Sequence, residues 1–212
     1  MAFVSTIRPD QSTGDVREMY LRQQAKYGYV PNYAKLFCHR PEVMKRWAAL
    51  LSEIRRHMSP RRFELVTFAA AHTLRNSSCT LAHGTALTEY LSPEDVRAVA
   101  NDTDVSALTE AEAAMVKFAR KVARDAAAIT AGDVAVLRKH GFADEEIFDI
   151  VATAAARAFF TKVLDGLGAE PDSIYGEMDE TFRKSLAVGG PIDFREPERV
   201  CVERPVHVAG SA

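Results

Sequence analysis

Helix-start and helix-stop signals recur along nearly the whole chain, with apolar residues spaced at three and four between them, and this constrains the fold most. Alternating strand patterns are scarce. Gly28 closes "TGDVREMYLRQQAKYG" in the manner of a left-handed helix stop. "YVPNYAKLF" reads as a turn and a short helix, and Pro41 opens "RPEVMKRWAALLSEIRRHM" at its first position. Ser59-Pro60 and Ser92-Pro93 each place a capping hydroxyl before a proline that tolerates only a helix's first turn. Thr109 and Glu112 form a capping box for "EAAMVKFARKVARD", and Thr130 caps "AGDVAVLRKH", which Gly141 stops. "DEEIFDIVATAAARAFFTKVLDGLG" is the last and longest helix. These signals predict an all-α, compact bundle of about eight helices. One domain is expected over residues 1–170, and 171–212 as a C-terminal arm or tail, because the pattern fades past Gly168. Within that tail "VCVERPVHV" has the pattern of a short strand, and Cys201 has no evident role there.

With 212 residues, the chain is long enough for a sizeable core. A net charge of -2 gives no general pull toward nucleic acid or anionic lipid, so neither is expected as a partner. The basic pairs Arg55-Arg56 and Arg61-Arg62 read as a solvated face. "MAFVSTIRPDQ" lacks the charged and apolar regions of a signal peptide, and no apolar run approaches the ~20 residues that span a bilayer. Three widely spaced cysteines, Cys38, Cys79 and Cys201, fit a reducing cytoplasm better than a disulfide framework.

The chemistry concentrates in "RNSSCTLAHGTAL". Cys79 and His83 are four apart, so on a helix they share a face with Cβ atoms ~5–6 Å apart, and the imidazole can take the thiol proton. With Ser77 or Ser78 as the cap, Cys79 falls in the first turn, where free N–H groups and the helix dipole favour an anion. Such settings lower a thiol pKa from ~8.5 toward ~3.5–7.5. On the preceding helix Glu64, Phe68 and His72 follow at intervals of four. A carboxylate on that apolar stripe needs a partner, and a hairpin that folds Glu64 toward His83 provides one. The plainer alternatives are a small buried thiol and a solvent-facing carboxylate beside Arg61 and Arg62. Cys79, His83, His72 and Glu64 are also possible metal ligands, but no H-E-x-x-H or paired C-x-x-C is present. No metal or cofactor is expected.

"GYVPNYAKLFCHRPEVMKRWAAL", "FELVTFAAAHTLRNSSCTLAH" and "FADEEIFDIVATAAARAFFTKVLDGLGAEPD" together resemble the peroxidase-related branch of the alkylhydroperoxidase D-like and carboxymuconolactone decarboxylase-like superfamily. The resemblance spans roughly residues 5–172. Its motif is a glutamate on one helix, then C-x-x-C-x-x-x-H opening the next. Glu64, Cys79 and His83 match it, while Asn76 stands where the first cysteine would be. The resemblance implies an all-helical homo-oligomer in which a thiol is oxidised while glutamate and histidine relay protons.

Because Asn76 cannot resolve an oxidised thiol, Cys38 or an external thiol reductant would have to close the cycle. The leading expectation is therefore a thiol-dependent oxidoreductase with Cys79 as nucleophile, His83 as base and Glu64 as proton-relay carboxylate. His72, Asn76, Ser78 and Cys38 are accessory candidates. A second expectation is a cofactor-free lyase or decarboxylase, isomerase or hydrolase acting on a small organic acid or lactone, with His83 and Glu64 as acid and base. A third is a non-catalytic, degenerate family member serving as a helical assembly module.

Overall fold

A computed structural model describes residues 2–103 and 106–200, and within them every regular element is helical. Ten α-helices occur among the described residues: α1 (Gly14–Tyr27), α2 (Asn32–Leu36), α3 (Pro41–Arg55), α4 (Pro60–Thr73), α5 (Ser77–Leu87), α6 (Pro93–Ala100), α7 (Glu110–Asp125), α8 (Ala131–Lys139), α9 (Asp144–Gly166) and α10 (Glu180–Leu186). α2 is the short helix expected in "YVPNYAKLF", whereas α10 has no counterpart among the expected helices. At seven residues α10 is too brief to show a helical period and is held by tertiary packing. No helix is long and apolar enough to cross a membrane among these residues. Cys201 and nearly all of the "VCVERPVHV" segment lie outside the described residues.

The local start and stop signals act as their chemistry requires. Gly28 takes φ 83° at the end of α1, a left-handed conformation that glycine adopts without steric cost. Thr109 and Glu112 exchange both capping-box hydrogen bonds, Glu112 N to Thr109 Oγ1 at 3.1 Å and Thr109 N to Glu112 Oε2 at 3.0 Å. Ser59 and Ser92 accept from the third helical N–H of α4 and α6.

α4 is the axis of the molecule: Phe63 to Ala71 are all buried, and α5, α7 and α9 pack around it. One apolar cluster joins α4, α7 and α9 with parts of α5, α6 and α10. A second gathers Met19, Tyr20, Phe37, Cys38, Cys79 and Phe160 where the N-terminal helices meet the start of α5 and the end of α9. Cys79 thus sits where α5 enters the second cluster.

One sequence expectation is corrected. Arg61 and Arg62 are not a solvated face. They cross to Glu112 (2.7 Å) and Glu146 (2.9 Å), because the first turn of α4 faces the starts of α7 and α9. Of the chain past Gly168, the described residues 169–200 lie on the body: Leu186 is fully buried and Phe182 nearly so. Leu186 fits over Gly84, where a Cβ would come within 2.5 Å of its Cδ1.

Candidate active site

The turn that leads into α5 positions the reactive residues. Arg75 adopts φ 60°, a conformation that costs a non-glycine residue ~1–3 kcal/mol and persists only where its surroundings enforce it. The C-terminal arm supplies that enforcement. Gly189 N donates to Ser77 Oγ at 2.7 Å and Arg75 Nε donates to the Val188 carbonyl at 3.3 Å. A Cβ at position 189 would collide with the Arg75 carbonyl oxygen, so the clasp needs glycine there.

Asn76, not Ser77 or Ser78, caps α5. Its Oδ1 accepts the Cys79 N–H at 2.8 Å, and its Nδ2 donates to Asp165 Oδ1 on α9 at 2.7 Å. The residue in the place of the motif's first cysteine is thus a buried structural bridge. It also occupies the backbone N–H that was expected to stabilise a Cys79 thiolate.

Cys79 is only 4% exposed, and its sulfur accepts a hydrogen bond from Arg157 Nη1 of α9 at 3.4 Å. Burial pushes the thiol up, and the Arg157 guanidinium pulls against that without reversing it. The lowered thiol pKa expected from the helix terminus is therefore corrected: in the resting site desolvation wins.

His83 lies one turn along α5, with Nδ1 2.6 Å from Glu64 Oε2. With Glu64 ionised, Nδ1–H donates to it and Nε2 keeps its lone pair. Burial and Arg157 push the imidazole below its usual range, more than Glu64 raises it. Burial also pushes the Glu64 carboxyl up, but His83, Arg55 and Arg157 together hold it below its ordinary value. The pair is accordingly a carboxylate and a neutral, oriented base. His83 keeps 19% of its side chain exposed, against 9% for Glu64, so solvent reaches the site at the imidazole.

The accessory candidates are dispersed. His72, pushed down by burial and by Arg120, has its charged neighbour on α7 and not in the Cys79 pocket. Ser78 is the second, half-buried residue of α5. Cys38 is buried in the same apolar cluster as Cys79, and its sulfur accepts from Ile7 N at 3.4 Å. Both thiols are free. Among the described residues no three His, Cys, Asp or Glu side chains converge to hold a metal ion.

Sequence reasoning missed Arg157 and Asp165. Arg157 had a legible signal: it sits in the apolar run "ATAAARAFF" with Thr153, Ala154, Phe160 and Thr161 at the helical neighbour positions, so no acidic residue on its own helix pairs with it. Its guanidinium carbon lies 5.5 Å from the Phe160 ring centroid and 5.8 Å from that of Trp47, within cation–π range. Trp47 is also a wall of an apolar groove of about 1460 Å³ between α3 and α9, which Leu50, Phe148 and Phe159 line and Cys79 and His83 do not.

The profile of the Carboxymuconolactone decarboxylase family matches residues 41–121, the span that contains Glu64, Cys79 and His83. None of the curated proteins matches the chain. Among solved structures, an uncharacterized peroxidase-related protein from Ralstonia eutropha JMP134 with an alkylhydroperoxidase AhpD core is 24% identical, covers 89% of this chain and 98% of its own, and superposes with a TM-score of 0.67. An uncharacterized peroxidase-related protein from Silicibacter sp. TM1040 is also 24% identical (77% and 88% covered, TM-score 0.68). A cysteine-to-alanine variant of the debrominase Bmp8, in complex with 2,3,4-tribromopyrrole, is 14% identical (88% and 98% covered, TM-score 0.66). These likenesses establish a shared architecture. The chain has the alkylhydroperoxidase D-like fold, and its residues 41–121 match the Carboxymuconolactone decarboxylase family.

Proposed function

We propose that the protein is a thiol-dependent oxidoreductase of the alkylhydroperoxidase-related type, with Cys79 as its single redox-active cysteine. The observation that carries this reading is the buried Cys79 thiol one helical turn from an imidazole held at 2.6 Å by a buried carboxylate. That is the arrangement of an activated nucleophile with an oriented base. His83 Nε2 takes the thiol proton. The sulfur attacks the terminal oxygen of a small organic hydroperoxide, and the O–O bond breaks. Sulfur is oxidised to a sulfenic acid while the peroxide is reduced to an alcohol, whose alkoxide receives the proton back from His83. One external thiol then condenses with the sulfenic acid and releases water. A second reduces the mixed disulfide, restores Cys79 and leaves as a disulfide with the first.

Trapping with dimedone tests this. After peroxide treatment the wild-type Cys79 peptide is expected to carry the sulfenate adduct and a Cys79→Ser chain none. An unlabelled wild-type Cys79 overturns the reading. A cofactor-free acid–base enzyme, a lyase or decarboxylase, isomerase or hydrolase, is the second reading. It is favoured by the resting state itself, in which the thiol is held protonated and the imidazole neutral. Turnover of a small organic acid or lactone that survives Cys79→Ala and is lost in His83→Ala separates the two. The debrominase neighbour widens the substrates worth assaying to small halogenated heteroaromatics.

A second copy of the chain fits the groove between α3 and α9. Leu50 is 56% and Phe148 69% exposed there, and the groove carries charges of both signs in Glu42, Arg46 and Asp149, as a self-complementary face requires. Sedimentation of wild type against Leu50→Glu checks it: the variant is expected to run as a smaller species.

A further inference from the structure

Arg157 is a buried cation with too few partners. It is 3% exposed, and its single hydrogen bond goes to the Cys79 sulfur. A protonated thiol is a weak acceptor for a guanidinium that offers five N–H groups. Nε is buried and has no acceptor among the described residues, and none of their carboxylates lies within 4 Å of the guanidinium. The two nearby acids are already engaged, Glu64 by His83 and Asp165 by Asn76. The faces of Trp47 and Phe160 provide only partial compensation. A buried cation is costly unless an anion faces it. In the resting site that anion is missing, and the atom in contact with the cation is the one that gains negative charge in the reaction.

Resting on the oxidoreductase reading above, we propose that Arg157 is a catalytic residue: its guanidinium is the counter-cation of the Cys79 thiolate, and its unused Nε–H is the donor for the oxygen that sulfur acquires. Transfer of the thiol proton to His83 leaves the site's net charge unchanged. It converts Glu64⁻ and Arg157⁺ with two neutral groups into two adjacent ion pairs, His83⁺ with Glu64⁻ and Arg157⁺ with the thiolate. The cation is thereby better matched after proton transfer than before it, which is the direction in which binding energy assists a reaction. The two roles split by atom. Charge alone serves the thiolate, whereas the Nε–H serves the oxidised product, so lysine can replace arginine in the first and not in the second.

The test is the pH dependence of Cys79 alkylation by iodoacetamide, followed on the Cys79 peptide by mass spectrometry, in wild type, Arg157→Met and Arg157→Lys. The midpoint is expected to rise by one unit or more in Arg157→Met, a tenfold loss of thiolate at neutral pH, and to return most of the way in Arg157→Lys. After a peroxide pulse, the sulfenic acid in Arg157→Lys is expected to persist several-fold less long than in wild type, read by delayed dimedone labelling. Equal midpoints in wild type and Arg157→Met overturn the proposal. Should the Met chain fail to fold, a Lys chain with wild-type midpoint and wild-type sulfenate lifetime does the same. Alkylation needs no peroxide, so the two readings fail separately. A shifted midpoint in a protein that peroxide does not oxidise removes the oxidoreductase reading and keeps the thiolate counter-cation. An unshifted midpoint in one that it oxidises removes only the role of Arg157.

Discussion

Half-buried Arg61 and buried Arg157 are treated in opposite ways. Arg61 is saturated: Nε and Nη2 reach the two Glu112 carboxylate oxygens at 2.7 and 3.2 Å, and its Nη groups also reach the Tyr90 and Ala107 carbonyls at 3.0 and 2.7 Å. The same Glu112 closes the capping box of α7, so one ion pair ties three elements together. Arg157 has a sulfur atom and two aromatic faces. A charge kept for stability is fully paired at rest. One left under-paired beside a nucleophile is poised for a charge that appears later.

The largest effect that would break this contrast is kinetic. His83→Ala is expected to cost ~10²–10⁴ in peroxide-dependent turnover, measured with an external thiol as reductant. Because burial and Arg157 lower the His83 pKa, the imidazole stays neutral at pH 7, and the acidic limb of the wild-type rate profile falls below pH 6.5, the ordinary histidine value. A limb at or above that value would mean that Glu64 dominates the pair instead.

Stability distinguishes the two arginines themselves. Arg61→Met leaves Glu112 buried and unpaired. The cost is expected at about 2 kcal/mol in urea denaturation, below the ~3–5 kcal/mol of a fully buried pair because Arg61 is partly solvated. Arg157→Met abandons no carboxylate and is expected to change stability by less than about 1 kcal/mol. Comparable losses in the two variants would erase the distinction.

Another buried acid, Asp172, sharpens the contrast in the arm. Its carboxyl accepts from Asn32 N at 2.7 Å, yet burial raises its pKa from 3.8 to about 6. The folded state therefore favours the protonated acid. That stabilisation is complete below about pH 4 and is lost as pH rises toward 6. Asp172→Asn is expected to gain on wild type over that interval, reaching on the order of 1–2 kcal/mol at pH 7 in thermal melts. A small effect is also expected at the cap: Asn76→Ala should cost ~1 kcal/mol. Asn76→Cys should cost a similar amount while opening a route to an intramolecular disulfide with Cys79, read as faster loss of the dimedone-reactive species.

These residues also show what a sequence reveals. Caps such as Thr109–Glu112 and stops such as Gly28 are legible because both partners lie within one turn. The Glu64–His83 pair is half legible: spacing gives each stripe, but only the α4–α5 hairpin sets them face to face. Arg157 and Cys79 are 78 residues apart, and nothing local links them. Asn76 was legible only as an absent cysteine, since a motif records which residue is lost and not the hydrogen bonds its replacement forms. Within the arm, α10 escaped because it is a short helix held by Leu186 against Gly84.

The clasp of Gly189 on Ser77 joins positions 112 residues apart. A growing chain exposes the turn before α5 long before it has made the glycine that pins it. The strained backbone at Arg75 gains its full support only once Gly189 has been added, and a copy cut short before that residue never gains it. The order of synthesis is thus written into the geometry of the nucleophile.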